Sequence, residues 1–302
     1  MKVKKSSTLH RLPHVTALEM TTARAVDAMI EVTRRPSIRC CPIEPSALGP
    51  MTRKRILVQS RFGGQYAWPK NAPPPLAGCE AFCLLQINLA DLPRKPFCYA
   101  LPKTGLLQVF IRPDNTYGCD LDRHRGDGFR IVLHSTDLEN LELSKPLSLS
   151  DDENASYLPI GSIDKKTMMT TGVPITFNYD RSTLITSSDY RFTGPTLNVL
   201  HDVTSNTLCS AAFEKWYDER VAWLDHGQGG VLDAAWLGGH PMFCYHDIRF
   251  HHHQDHDDGL YDAFLSFASD GYIFNWGDMG TATFLVPRSG DLSRTLYTWD
   301  SY

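Results

Sequence analysis

The sequence lacks the features that would place this protein in a membrane or in an oxidising compartment. No apolar run reaches about 18 uncharged residues, the length that a transmembrane helix needs. The segment Met1–Arg11 is basic and polar, and no apolar stretch with a cleavage site follows it. The eight cysteines include no CxxC pair, and the only close ones are Cys40–Cys41 and Cys79/Cys83. We therefore expect a cytoplasmic protein with reduced, buried cysteines and no structural zinc.

Signatures of catalytic machinery are equally scarce. The chain contains no nucleophile elbow, no P-loop and no HExxH helix. The glycine-rich run Gly227–Gly230 follows a predicted helix rather than a strand, so it is interpreted as a helix terminator. Serine, histidine and aspartate are too frequent for a catalytic triad to be assigned without geometry. The sequence therefore predicts a protein that is not an enzyme and carries no cofactor.

Charge is distributed unevenly along the chain. Residues 1–70 carry 13 Lys and Arg against 4 Asp and Glu, a balance of +9, whereas residues 71–302 carry 17 against 30, a balance of −13. A block of one sign can be an ordinary solvated surface, or it can face a partner of opposite charge. A sequence pI of about 6.3 and the lack of a basic-aromatic stripe argue against direct nucleic-acid binding.

Short apolar runs rich in aromatic and β-branched residues predict strands, most clearly in the last forty residues. The predicted strands are Ile56–Val58, Cys83–Leu89, Gly105–Ile111, Ile175–Phe177, Phe264–Asp270, Tyr272–Trp276 and Thr281–Val286. Between the last two runs, Gly277 and Gly280 are expected at positive φ, with Asp278 accepting a local main-chain hydrogen bond. This C-terminal stretch is expected to form an antiparallel sheet.

Two longer segments, Val15–Arg35 and Leu208–Leu224, have apolar residues near helical spacing and predict helices. The proline-rich residues 36–55 predict a connector. Since a double glycine followed by two apolar runs occurs in both halves, a loose internal duplication is also expected. The predicted fold class is α+β: a mixed, mostly antiparallel β-sheet built from two loosely repeated halves with a few packed helices.

The predicted domain organisation follows from these patterns. Residues 1–55 form a basic N-terminal arm and helix, and residues 56–302 form one domain. Within that domain, pseudo-repeats at about 56–134 and 206–302 are joined by an irregular segment.

A set of short motifs characterises residues 56–302. They are Gly63-Gly64 with Trp68-Pro69, Leu84–Asn88 with Asp91-Leu92, Gly105–Phe110, Leu237–Pro241, Asp247–Arg249, Trp276–Gly280 and Asp291-Leu292. Together they resemble the YwqG-like family of largely uncharacterised bacterial proteins. The residues that carry its structural motif here are Gly63, Gly64, Gln86, Gly238, Gly239, Trp276, Gly277 and Asp278. The chain departs from the family at Phe243–His246, where a glutamine is usual before the Asp-x-Arg element.

The resemblance implies a β-rich mixed fold and no agreed enzymatic activity. Members of that family are often found beside bacterial polymorphic toxins, which implies an immunity role. The expected function is thus a cytoplasmic immunity protein that binds its cognate toxin or effector directly, such as a nuclease with a basic active-site surface. Neither direct nucleic-acid binding nor membrane binding is expected.

The most polar stretch, residues 246–258, contains five histidines and four aspartates. We expect it to contribute part of the partner-binding surface through His251, His253, Asp255, Asp257 and Asp258. The alternative is a metal-binding protein or metal-dependent enzyme, because His251 and His253 would point to the same face of a strand and suit a transition metal. A solvated polar loop without a ligand is the third interpretation.

Overall fold

The computed structural model describes residues 24–25, 27–29, 31, 33–48, 52–95, 99–134, 138–148, 157–179, 182–183, 185–186, 188–192, 234–245, 247–249 and 261–301. None of the helices in these ranges has the length and apolar character required to cross a lipid bilayer. The structure of these residues is dominated by strands.

Thirteen strands are present in these ranges. They are β1 Arg35–Pro42, β2 Arg61–Phe62, β3 Ala67–Pro69, β4 Phe82–Asn88, β5 Leu106–Ile111, β6 Phe129–His134, β7 Leu141–Leu143, β8 Val173–Asn178, β9 Ser182–Thr183, β10 Ala235–Gly238, β11 Tyr261–Ala268, β12 Thr281–Pro287 and β13 Leu296–Asp300. The helices are α1 Arg53–Leu57 and α2 Lys165–Met169, with 3₁₀ turns at Pro45–Leu48, Leu89–Asp91, Leu138–Asn140 and Leu292–Arg294. Residues 24–25, 27–29, 31 and 33 are also helical.

The strands form one long antiparallel sheet in the order β13-β12-β11-β10-β1-β8-β2-β4-β5-β6. Strand β9 pairs with β1 beside this path, and β3 and β7 form a separate two-stranded sheet. All of these pairings are antiparallel, the arrangement that short connections between successive strands allow.

The long sheet consists of two similar four-stranded units around a central pair. The first unit is β2-β4-β5-β6 and the second is β10-β11-β12-β13. Both contain a register shift at the corresponding place, between Cys83 and Leu85 in β4 and between Ala263 and Leu265 in β11. The central strands are exchanged: β1 precedes the first unit in sequence but pairs with β10, whereas β8 precedes the second unit but pairs with β2.

The long sheet curls almost onto itself, as contacts between aromatic side chains of the two units show. Phe62 packs edge-on against Phe274 with ring centroids 5.2 Å apart, and Phe129 of β6 lies 5.1 Å from Tyr297 of β13. The loop before β6 also contacts β13, since the Tyr297 amide donates to the His124 carbonyl at 2.9 Å. The two end strands of the sheet are thereby brought together.

The predicted α+β class with a few packed helices is wrong, because the described residues form a predominantly antiparallel β structure. Helices α1 and α2 have five residues each, too short to supply a layer of their own. The predicted helix Val15–Arg35 is helical where it is described, up to residue 33, and the predicted helix Leu208–Leu224 lies outside the described residues.

Three local predictions also fail. Ile56–Val58 is not a strand: its first two residues belong to α1, where the Thr52 side chain accepts a hydrogen bond from the Arg55 amide at 3.3 Å. Residues 36–42 are not a connector but most of β1. Tyr272–Trp276 is a turn rather than a strand, with a single bridge from Phe274 to Ile160.

The strand predictions for β4, β5, β8, β11 and β12 are confirmed, because each apolar run forms a strand at its predicted place. In the last turn Gly277 has a φ of 56°, but the second positive φ belongs to Met279 and not to Gly280. The local acceptor is Asp270, whose Oδ1 receives the amides of residues 272, 273 and 274 at 2.8–3.1 Å. Asp278 is exposed.

Candidate functional site

The polar stretch at residues 246–258 lies in the chain between β10 and β11, the first two strands of the second unit. Its predicted binding residues His251, His253, Asp255, Asp257 and Asp258 lie outside the described residues. Both flanks are described, at residues 247–249 and from Tyr261 onward. We refer to residues 250–260 as the His/Asp loop, and the geometry of its two ends defines the candidate site.

One arginine joins the two ends of the His/Asp loop. The Arg249 guanidinium donates from Nη1 to the carbonyl of Tyr261 at 3.2 Å. Tyr261 is the first residue of β11, and its hydroxyl accepts a hydrogen bond from Arg125 Nη2 at 3.0 Å. Because Arg249 is only 3% exposed, this link is formed inside the protein and not on its surface. The loop therefore leaves and rejoins the fold at a fixed place.

Arg249 belongs to an Asp-x-Arg turn that occurs twice. In Asp247–Arg249, Asp247 Oδ1 accepts from the backbone amide of Arg249 at 2.9 Å and from its Nε at 2.8 Å. In Asp189–Arg191, Asp189 Oδ1 accepts from the amide of Arg191 at 2.9 Å and from its Nε at 3.0 Å. Each aspartate thus fixes both the backbone and the side chain of the arginine two residues later.

The two Asp-x-Arg turns hold each other. Tyr190 donates its amide to Asp247 Oδ2 at 2.9 Å, and Arg249 Nη2 lies 2.9 Å from Asp189 Oδ1. The Arg249 guanidinium also lies over the Tyr190 ring, 4.8 Å from its centroid, in a cation–π arrangement. Each turn supplies a partner for the other, so the segment around residue 190 is tied to the base of the His/Asp loop.

Asp262, the second residue of β11, contacts Arg191 and extends this network to two more basic groups, Arg35 and Arg288. Its Oδ1 lies 2.7 Å from Arg35 Nη1 and 2.7 Å from Arg191 Nη1, and its Oδ2 lies 2.9 Å from Arg288 Nε. We call all residues joined by the ion pairs described above the ionic cluster. Its members are Arg35, Asp189, Arg191, Asp247, Arg249, Asp262 and Arg288.

The cluster keeps its carboxylates ionised despite burial. Burial alone would raise the pKa of Asp189, but the neighbouring His240 ring, hydrogen bonds from Arg191 and the charge of Arg249 outweigh it and hold that pKa well below its usual range. Burial likewise opposes ionisation of Asp262, yet the contacts with Arg35, Arg288 and Arg191 lower its pKa to about 2. The pKa of Arg249 is raised because hydrogen bonds and charge from the two aspartates exceed the effect of burial.

His240 connects the cluster to the N-terminal helical residues. Its Nε2 lies 2.5 Å from the carbonyl of Thr33, so Nε2 carries the proton and donates it. Its Nδ1 lies 3.4 Å from Arg191 Nη2 and 3.6 Å from Asp189 Oδ2, the second distance being too long for a hydrogen bond. The Nδ1 edge of the imidazole therefore faces both members of the Asp189–Arg191 ion pair.

The ionic cluster is suited to holding structure and not to catalysis. Its carboxylates are occupied by guanidinium groups, so none of them is available as a general base or nucleophile. Over the described ranges, no three His, Cys, Asp or Glu side chains form a group that could hold a metal ion. The metal alternative at His251 and His253 concerns residues outside these ranges and stays a prediction.

Most of the cluster was not predicted from the sequence. Only Asp247–Arg249 was recognised there, as a motif of the family resemblance. Residues 35, 189, 262 and 288 are too far apart in the chain for any spacing rule to connect them. One usable signal was present, however: the tripeptide Asp189-Tyr190-Arg191 repeats the Asp-x-Arg pattern of residues 247–249.

The predicted structural-motif residues lie in the strands or in the turns next to them, and none belongs to the ionic cluster. Gly63 and Gly64 have φ of 63° and 78°, and a Cβ on Gly64 would come within 2.6 Å of the Gly172 nitrogen. Gly238 and Gly239 have φ of 71° and 73° at the end of β10, so the same turn is built in both units.

Of the remaining motif residues, Gln86 is buried in the first unit and Trp276 in the core, whereas Gly277 is half-buried and Asp278 is exposed. The Gln86 side chain accepts from the Ala67 amide at 2.9 Å and from Gln108 Nε2 at 2.7 Å, and it donates to the Leu57 and Gln59 carbonyls at 3.0 Å. Trp276 is fully buried in the aromatic core. These positions stabilise the fold.

Comparison with known proteins gives a family and no described activity. The model of a domain of unknown function, DUF1963, matches residues 60–301. No curated protein matches the sequence. The matched range contains both four-stranded units, both Asp-x-Arg turns and the His/Asp loop, but not β1.

Proposed function

The chain belongs to the DUF1963 family, and from that premise we propose that it is a cytoplasmic, YwqG-like immunity protein that neutralises a bacterial toxin by binding it. Binding is proposed in place of catalysis because the ionic cluster has no uncommitted acid, base or nucleophile. The resemblance to proteins found beside toxins supports the biological role.

The observation that carries the proposal is the anchored His/Asp loop. Residues 250–260 contain three aspartates, four histidines and no lysine or arginine. Arg249 joins the ends of this loop through its contact with Tyr261, and Asp189 and Asp247 fix Arg249 in turn. A loop with fixed ends loses less conformational freedom when it binds than a freely hanging segment does. The three aspartates would thus be presented from one place.

A toxin with a basic active-site surface, such as a nuclease, is the partner that this charge pattern fits. The net charge of −13 over residues 71–302 and the acidic loop would attract a cationic partner and accelerate association. A nuclease must present cationic groups to the phosphate backbone, so an acidic loop can compete for the same surface.

The proposal is tested by expressing the protein together with the product of the adjacent gene. We expect that product to be toxic alone, cell survival to be restored by co-expression, and the two proteins to purify as a complex. A harmless neighbour that forms no complex would contradict the immunity role.

The place of the His/Asp loop in the interface is tested with the triple variant Asp255→Ala, Asp257→Ala, Asp258→Ala. We expect slower association with the toxin and a weaker dependence of the association rate on salt, since three attracting charges are gone. A matched control removes three exposed carboxylates elsewhere, Asp122→Ala, Asp127→Ala and Glu142→Ala. If both variants slow association equally, overall charge and not this loop is responsible.

A further inference from the structure

One cavity of the molecule lies beside β2, where residues of α1, β2, β7 and β8 line it, far in sequence from the His/Asp loop. It has a volume of about 410 Å³, within the range of about 300–1,000 Å³ typical of small-molecule sites. Its lining combines apolar side chains with a few polar ones, including Ile56, Gln59, Arg61, Gln65, Leu143 and Pro174. The polar members determine what it can bind.

Arg61 is the unusual member of this lining. It is 2% exposed, and its guanidinium donates from Nη1 to the Ile56 carbonyl at 2.7 Å and from Nη2 to the Gln65 carbonyl. Across the described residues no carboxylate pairs with it. Backbone carbonyls satisfy hydrogen-bond donors but do not neutralise the positive charge. An unpaired buried charge is costly for a protein to maintain.

The neighbouring Cys83 does not supply the missing negative charge. Burial raises the pKa of the Cys83 thiol to about 12, so the thiol is neutral at pH 7. Burial lowers the pKa of Arg61 to about 10, which still leaves the guanidinium protonated at pH 7. Arg249 is equally buried and shows the usual solution, since two aspartates surround it.

Two hydrogen-bond donors beside this charge are also unsatisfied. Arg61 Nε and Gln59 Nε2 are both buried, and neither has a hydrogen-bond partner in the described structure. Both residues line the cavity. An unsatisfied guanidinium N–H, an unsatisfied amide nitrogen and an uncompensated charge therefore belong to two residues that line the same cavity.

The corresponding place in the second unit differs. When the two double-glycine turns are superimposed in sequence, Arg61 corresponds to Trp236 and Gln59 to Ala234. The cationic cavity is thus specific to the first unit and is not required by the repeated architecture. If the repeated architecture needed a buried arginine at this place, both units would have one.

We propose that this cavity binds a small organic carboxylate with an apolar body, held by Arg61 and Gln59. A carboxylate matches the planar guanidinium, satisfies the free Nε and neutralises the charge, and its second oxygen accepts from Gln59 Nε2. The apolar body packs against Ile56, Leu143 and Pro174. This activity is separate from toxin binding at the His/Asp loop and does not depend on it.

The experiment uses the full chain with hexanoate as the probe, hexanamide as its neutral analogue and inorganic phosphate as a different anion. Isothermal titration and thermal unfolding are measured with each compound. We expect saturable binding and a rise in Tm with hexanoate alone. Equal binding of hexanamide, preference for phosphate, or no saturable binding of hexanoate would each overturn the proposal.

Variants then identify the residues. Arg61→Met should weaken hexanoate binding by about tenfold or more, because a charge-assisted hydrogen bond contributes about 1.5–3 kcal/mol. Because Arg61 also holds two backbone carbonyls, its loss affects folding as well as binding, and Gln59→Leu is therefore the second variant. It removes only the unsatisfied amide and should weaken binding about threefold or more. Arg130→Met, another arginine bound to a backbone carbonyl, is the control that should leave binding unchanged. Unchanged affinity in Gln59→Leu would refute the assignment.

Discussion

Replacing Asp262 by asparagine should lower stability by an amount that depends on pH. This carboxylate contacts Arg35, Arg191 and Arg288 at 2.7–2.9 Å, and those contacts lower its pKa from the ordinary 3.8 to about 2. The difference of nearly two pKa units corresponds to about 2 kcal/mol of stability at pH 7. The Asp262→Asn variant loses this contribution, since its amide cannot carry the charge.

The sign of the pH effect follows from the direction of the shift. Because the folded pKa lies below the unfolded one, the unfolded chain binds more protons between about pH 4 and pH 2. The contribution of Asp262 is therefore complete above about pH 5, falls to about half near pH 3 and is lost as the pH passes 2.

The assay is urea unfolding of both proteins at a series of pH values from 7 to 3. We expect the wild type to exceed Asp262→Asn by about 2 kcal/mol at pH 7 and by about 1 kcal/mol at pH 3. Asp122→Asn, at an exposed aspartate, should behave as the wild type throughout. A wild-type advantage that stays constant down to pH 3 would refute the reasoning, because it would show that the charge of Asp262 is not what the arginines stabilise.

Two further predictions concern the metal alternative and the buried amide network. Protein purified without a tag is expected to contain no stoichiometric zinc, iron or manganese by elemental analysis; a metal that is lost in the His251→Ala, His253→Ala variant would favour the metal-binding alternative over the toxin-binding one. Gln86→Leu should destabilise the fold by about 3 kcal/mol or more in urea, because it strips four hydrogen-bond partners in the interior. At the corresponding place in β11, the Ser266 hydroxyl has a single hydrogen-bond contact among the described residues, with the Thr283 hydroxyl at 3.4 Å. Ser266→Ala should therefore cost less than about 1 kcal/mol. Equal losses in the two variants would contradict this account.

The strand predictions were best where the apolar pattern of the sequence matches the burial of the same residues in the fold. The runs that became β4, β5, β11 and β12 are apolar because both of their faces are buried. Strand β1 was missed because Pro36 and Pro42 suggest a connector, although proline is compatible with strand ends. In Tyr272–Trp276, Phe274 and Trp276 are buried in the core between the units, while Tyr272 is exposed. The local pattern alone cannot distinguish such a run from a strand.

The candidate site was the least predictable part. The polar stretch itself is evident in the sequence, but its anchoring depends on Asp189, Asp262 and Arg35, which the fold brings together from distant segments. Nothing in the sequence marks Arg61 as a binding residue either, because an arginine after a polar turn is ordinarily exposed to solvent. Only its burial and the absence of a counter-charge over the described residues identify it.

The exchange of β1 and β8 makes the two units interdependent. Each unit is completed by the strand that precedes the other in the chain, so neither can be excised with its neighbouring strand attached and keep a complete sheet. The match to the family begins at residue 60, beyond β1, yet β1 is the strand that separates β8 from β10. A fragment cut at that boundary would expose two unpaired strand edges in the middle of the sheet, where other chains can add. Strand β1, which lies before residue 60, is therefore an internal part of the fold.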